Sequence, residues 1–247
     1  MQCKLCLQDK PLLKNSHIIP DFMYQDMYDE KHKMVVVDKG MQNRAKTVSS
    51  GEYESNLLCA ECDNKILGTL ESYASSVLYG GNLLEWKDLN LTKSINQNNV
   101  KFVKVEGINY AKFKLFLLSL IWRAGISNRD FFSKVDLGPH EEMIRQMIYS
   151  GNAGEYDRYP CNVFAYVDEN KELPEGLMIS PIKINSGGIK YLFMVSGLIY
   201  IFYISSHRLQ DWIYEIALNN KGELIVPYIP TEKGREMLNS FIGFKYF

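Results

Sequence analysis

Two Cys-x-x-Cys pairs, CKLC at 3–6 and CAEC at 59–62, limit what the first part of this chain can become. Two cysteines three apart can reach one ion from a tight turn. A second such turn completes a tetrahedral shell of four sulfurs at about 2.3 Å. Thiolates select Zn2+ over hard cations such as magnesium. Four of them leave the ion no open position, so the expected zinc is structural. An iron–sulfur cluster or a redox dithiol are the alternatives. The fifth cysteine, Cys161, reads as a small buried apolar residue. Residues 7–58 lie inside the loop that a zinc site would close. The segment up to residue 66 is polar and irregular, with acids and bases nearly balanced. It cannot bury a useful core alone, and a metal is its natural staple.

Charge excludes some functions. The chain carries 28 Lys+Arg against 29 Asp+Glu, a formal net charge of −1. No global positive field marks a nucleic-acid binder, so contacts to phosphate must come from a local patch. The N-terminus, MQCKLCLQDK, has no apolar run of the secretory kind. The most apolar stretch, YLFMVSGLIYIFYI at 191–204, is too short to span a bilayer. A cytoplasmic protein with no membrane partner is expected, and free thiols rather than disulfides.

Periodicity outlines the elements. A helix is expected from Cys62 or Asp63 through NKILGTLESYASSVLYG, stopped by Gly80-Gly81. KFVKVE at 101–106 alternates like a strand. Residues 109–125 read as a largely buried helix, and 139–150 as another with Pro139 in its first turn. Segment 38–56 has loop composition. From 161 the runs NVFAYV, LMISPIKI, KYLFMVSG and LIYIFYIS are β-rich, the last two forming a hairpin at Ser196-Gly197. A helix returns at 231–241, with Thr231 as N-cap. The order helix, strand, helix predicts an α+β fold. Two units are expected: a zinc-stapled module over 1–80 and an α+β body over 81–247.

Few residues offer chemistry. His17, in SHIIP at 16–20, reads either as a core histidine at a strand end or as a general base beside a metal-pinned hairpin. A neutral imidazole suits the second task near pH 7. Asp63 fits a helix N-cap or first-turn acid. Asn56 suits a turn. Lys101, Lys104, Lys112, Lys114 and Arg123 are interleaved with Phe102, Phe113 and Trp122. Such a run can track a nucleic-acid backbone or form the solvated face of an amphipathic helix. His32, His140 and His207 read as surface residues.

CKLC, then SHIIP, then NLLCAECDNK at 56–65 together resemble the HNH, or His-Me finger, endonucleases. The resemblance covers residues 1–66. It implies a ββα-metal module in which a short hairpin and a helix clasp one catalytic Mg2+ or Mn2+ ion. His17 falls on the family's general base and Cys3, Cys6, Cys59 and Cys62 on its structural zinc. Asp63 falls on the helix metal ligand, with Asn64 as neighbour, and Asn56 on the residue that orients the histidine loop. Ser16 stands where the family has Asp or His, and Asp21 and Glu54 are available to fill that gap. The implied activity is phosphodiester hydrolysis, on DNA ahead of RNA, in the manner of phage-defence or mobile-element effectors. The body would then sense, regulate or dock a protein partner. A zinc-stapled binding module without catalysis is the alternative.

Overall fold

Apolar residues that alternate along strands and recur on every side of one helix build the molecule around a single large sheet. The computed structural model describes residues 1–24, 27–38, 44–79, 89–167 and 177–242. The chain opens with β1 (Ser16–His17), β2 (Met34–Asp38), β3 (Arg44–Val48) and β4 (Tyr53–Glu54). A π-helical stretch, Glu61–Leu67, leads into α1 (Gly68–Tyr79). Then come β5 (Asn90–Ile95), β6 (Lys101–Glu106), α2 (Tyr110–Ile126) and α3 (His140–Ser150). The last part holds β7 (Cys161–Val167), β8 (Leu177–Ile184), β9 (Lys190–Val195), β10 (Leu198–Tyr203), α4 (Asp211–Ile216), β11 (Leu224–Pro230) and α5 (Thr231–Ile242).

The strands form a 9-stranded mixed sheet in the order β3-β2-β8-β9-β10-β7-β11-β6-β5, and β1 pairs with β4 apart from it. Within the sheet β2 runs parallel to β8, and β7 parallel to β11; the other pairs are antiparallel. Side chains alternate between faces along each strand. Val36, Met178, Tyr191, Phe193, Tyr200 and Phe202 share one core with α1, α2 and α3. Val37, Ile179, Leu192, Met194 and Ile199 form a second core, with Met237 of α5 against it. The fold is mixed α+β, as the order of elements predicts.

Helix α2 is the hub. It is buried from Phe113 to Ala124, including Lys114, Ser119 and Arg123. A helix apolar on all sides belongs inside a protein, and charges within it need partners. Asn109 caps its start, its side chain accepting from Lys112 N at 3.0 Å. Gly151, at φ 71°, ends α3 in the left-handed conformation. The β9–β10 turn places Ser196 and Gly197 at φ 50° and 72°, the paired positive values of a type I′ hairpin.

Several strands were not legible. β3 and β4 lie within the segment of loop composition, and β5 and β11 were not foreseen. β3 and β5 are the two sheet edges. β5 is exposed at every residue, and an edge strand needs no apolar alternation to be held. The Gly80-Gly81 helix stop and the 80/81 boundary lie outside the described residues. β2 and β3 extend the same sheet as the strands of the body. Among the described residues no helix is long and apolar enough to cross a membrane.

Gly222 marks a close approach. It sits at φ 76°, its carbonyl accepts from Ile108 N at 3.0 Å, and an added Cβ would run into the Ile108 carbonyl. Gly222→Ala therefore combines a forced left-handed backbone with a clash. It is expected to cost about 2 to 4 kcal/mol, read as a lower urea midpoint with an unchanged slope.

Candidate functional site

The cysteine pairs meet. CKLC folds as a tight turn in which Leu7 N donates to the Cys3 carbonyl at 2.9 Å and Cys3 N to that of Gln8 at 3.0 Å, with Leu7 at φ 58°. Lys4 N reaches the Leu57 carbonyl at 2.9 Å, and Leu12 bridges to Cys59. These ties bring the turn onto the second pair. The Sγ atoms of Cys3, Cys6, Cys59 and Cys62 all lie within 4.8 Å of one another. Tetrahedral zinc at about 2.3 Å asks for sulfurs about 3.8 Å apart. Four cysteines so placed could hold a metal ion such as zinc.

Their electrostatics fit a soft cation. Burial raises the Cys3 thiol, but backbone hydrogen bonds from Cys6 and Cys59 outweigh it and bring the pKa down to about 7. Burial lifts the thiol of Cys62, and its neighbours Cys59 and Cys3 lift it further. Burial likewise raises Cys6. One thiolate thus forms readily and its neighbours resist. A divalent ion removes that conflict, because it binds only deprotonated sulfur and supplies the missing positive charge.

The second pair leads directly into the candidate site. Asp63 N donates to the Cys59 carbonyl at 3.0 Å, so the residue after Cys62 is fixed by the same turn. β1 and β4 pair antiparallel, with Ser16 opposite Glu54 and His17 opposite Tyr53. The helix that follows β4 carries Asp63 in its π-helical opening. Such widened turns often sit at functional sites. Asp63 lies near enough to His17, Ser16, Arg123 and Glu71 to feel all four. Burial raises its pKa and Glu71 adds to the rise, while Arg123, His17 and the Ser16 hydroxyl oppose it. Ser16 is 1% exposed, and its hydroxyl makes no hydrogen bond of normal geometry. His17 is half-buried, its ring edge-on to Tyr53 with centroids 6.4 Å apart.

Arg123, from the hub helix, braces this arrangement. It is 1% exposed. Its Nη1 donates to the His17 carbonyl at 3.0 Å and to Glu71 Oε1 at 2.6 Å, and Nε donates to the Ser119 carbonyl at 3.3 Å. Sequence reasoning placed Arg123 in a basic run and gave it no role here. The available signal was a charge inside the apolar run LFLLSLIWRAG, which has to be paired once buried.

The other sequence candidates scatter. Asn56 is exposed at φ 62°, its N–H donating to the Leu13 carbonyl at 2.9 Å, which makes it a turn residue whose backbone carries the geometry. Asn64 and Asp21 are exposed. Glu54 binds the loop after α2. Lys101 and Lys112 are exposed, Lys112 over the Tyr73 ring at 5.3 Å. Lys104 is paired with Glu106 and Glu223. Lys114 is buried and donates to Tyr110 Oη at 3.0 Å and to the Glu155 carbonyl. His32 and His207 are exposed; His140 is half-buried, its Nδ1 2.8 Å from Tyr159 Oη. Among the described residues the four cysteines are the one cluster of three or more ligating side chains of these types.

Lys114 yields a pH test. Burial lowers its pKa to about 8, with Arg158 adding and Asp157 and Glu155 opposing. The unfolded chain, with lysine near about 10.4, binds that proton more tightly. Stability therefore rises with pH between about 8 and 10.4. Lys114→Met removes this dependence. Relative to it, the wild type is expected to gain about 3 kcal/mol across that window, read from urea midpoints.

No protein-family model, curated protein or solved structure matches this chain.

Proposed function

We propose that this protein is a metal-dependent endonuclease of the HNH type, hydrolysing phosphodiester bonds in DNA ahead of RNA. The observation that carries the reading is the order of the site. A short strand pair carries His17, the helix that follows carries Asp63, whose carboxyl feels the His17 charge, and the four-cysteine cluster lies at the start of that helix.

In this reading His17 takes the proton from an attacking water as the general base. Arg123 holds the His17 carbonyl and so sets where the imidazole stands; it acts as a positioning residue. Asp63, with Asn64 as an exposed neighbour, would offer oxygen to Mg2+ or Mn2+. Ser16, where the family has Asp or His, is a poor ligand for such an ion beside a carboxylate. Magnesium commonly takes only one or two protein oxygens and keeps several waters, which fits so small a donor set. When bound, the ion would stabilise the pentacovalent phosphate and the leaving oxygen. Asn56 holds the turn before the second cysteine pair. Zinc in the cysteine cluster would hold the hairpin to the helix. The body would sense, regulate or dock a protein partner, in keeping with a phage-defence or mobile-element effector.

One observation favours a second reading, a zinc-stapled module that binds nucleic acid or protein without cutting. The Arg123 charge already favours the ionised Asp63 carboxylate, with no added cation. The test is incubation with plasmid, single-stranded DNA and RNA in Mg2+ and then Mn2+. Cleavage that depends on the added ion supports the nuclease. A zinc-loaded protein that cuts none of the three gives the second reading its place.

A further inference from the structure

The loop after α2 is clamped onto β4 by two carboxylates. Glu54 Oε2 accepts from Ser127 Oγ at 2.6 Å and from Asn128 N at 3.0 Å, and its Oε1 accepts from Asn128 Nδ2 at 2.9 Å. Ser127 Oγ in turn accepts from Arg129 N at 3.2 Å. Two residues before Glu54, the buried Glu52 accepts from Arg129 Nε at 2.6 Å. Its own N–H donates to Tyr24 Oη at 3.0 Å, so it has little freedom to move. All this fixes one arginine, whose side chain is still 45% exposed.

The place where it is fixed matters. The Arg129 guanidinium carbon lies 6.0 Å from the centre of the Tyr53 ring. Tyr53 is paired across the strands with His17, its ring 6.4 Å from the imidazole. Arg129 engages Glu52 through Nε alone. Its two Nη groups make no hydrogen bond to any described residue. An arginine kept only for an ion pair gains most by a two-pronged contact with the carboxylate. Here the prongs are left for a second anion. A guanidinium already ordered by a buried partner loses less freedom on binding, and its fork matches phosphate oxygens. A chain of net charge −1 also needs a local cation to hold a nucleic-acid backbone.

We infer that Arg129 is the phosphate-binding cation of the His17 site, taking backbone oxygens of a nucleic acid next to the proposed general base. The inference rests on the nuclease reading for its substrate class. Glu52 and Glu54 are then positioning residues that set the guanidinium beside the strand pair.

The test measures binding of fluorescein-labelled single-stranded DNA, duplex DNA and RNA by anisotropy in Mg2+, over a salt series. Everything is done in the full-length His17→Ala background so that nothing is cut. Adding Arg129→Ala is expected to weaken binding about tenfold and to lower the slope of log affinity against log salt by about one. Arg129→Lys keeps the charge and is expected to restore the slope, which separates contact from misfolding. Arg208→Ala, which removes an exposed ion pair with Asp211, sets the effect of losing any one charge. Binding and slope unchanged by Arg129→Ala, or a slope that Arg129→Lys does not restore, would overturn the inference. The substrate class that loses most identifies the preferred nucleic acid. Cleavage is read separately. If the parent protein cuts nothing but Arg129→Ala still loses binding, the nuclease reading fails and the phosphate contact stands. If the parent protein cuts and Arg129→Ala cuts with the same kcat and KM and binds as before, the nuclease stands and the contact fails.

Discussion

His17→Ala is expected to lower metal-dependent cleavage at least about a hundredfold while leaving the fold intact. The separation follows from how the residue is held. Arg123 grips the His17 backbone carbonyl, which alanine retains, and β1 stays paired with β4. What the substitution removes is a half-buried ring packed against Tyr53. The loss of stability should stay near about 1 kcal/mol, the size of most point substitutions. Arg123→Ala gives the contrast. It strips a buried guanidinium from Glu71, the His17 carbonyl and the helix, and is expected to cost about 3 to 5 kcal/mol. Initial rates on plasmid, with thermal unfolding of each variant, check both. A His17→Ala protein that cuts at the parent rate would remove the residue from the mechanism.

The cysteine cluster should show a larger effect on stability. The purified protein is expected to carry one zinc per chain by atomic emission, and Cys59→Ser to lose it. Structural zinc contributes about 10 to 16 kcal/mol of apparent binding free energy in small finger peptides. Even a fraction of that exceeds the margin of most domains. Cys59 also donates its backbone N–H to Cys3 Sγ, and the next turn positions Asp63. Losing the ion is therefore expected to loosen the CKLC turn, the strand pair and the helix start together. It should show as a melting temperature lowered by ten degrees or more, on the order of several kcal/mol. A zinc-free protein of full stability would mean that the four thiols hold no structural ion.

Spacing made some of this readable. The two Cys-x-x-Cys turns are local, and their meeting in space follows from a single shared task. The helices at 110–126 and 140–150 and the hairpin at Ser196-Gly197 declare themselves through periodicity and turn chemistry within a few residues. His17 and Asp63 were paired by resemblance, and in the structure the His17 charge is one of several that act on the Asp63 carboxyl. What stayed hidden depends on long-range contact. Nothing near Arg123 announces His17, which is far away in the chain, and nothing in SNR at 127–129 announces Glu52 and Glu54. The lysines were grouped by their nearness in sequence, yet Lys114 points into the interior because α2 is buried on all sides. Edge strands β3 and β5 carry polar residues that read as loop, and only their neighbours in the sheet make them strands.

The insertion of β2 and β3 between the two strands that frame His17 has a temporal meaning. During synthesis the segment that carries β1, β4 and the cysteines leaves the ribosome before β8. Yet β2 finds its parallel neighbour only when β8, at Leu177–Ile184, has emerged, and the His17 carbonyl meets its brace only after Arg123 has. A nascent chain holding every proposed catalytic residue thus still lacks the frame that aligns them. Truncated products ending before β8 should therefore leave β2 without its parallel neighbour, and the segment that carries the cysteines without its place in the large sheet.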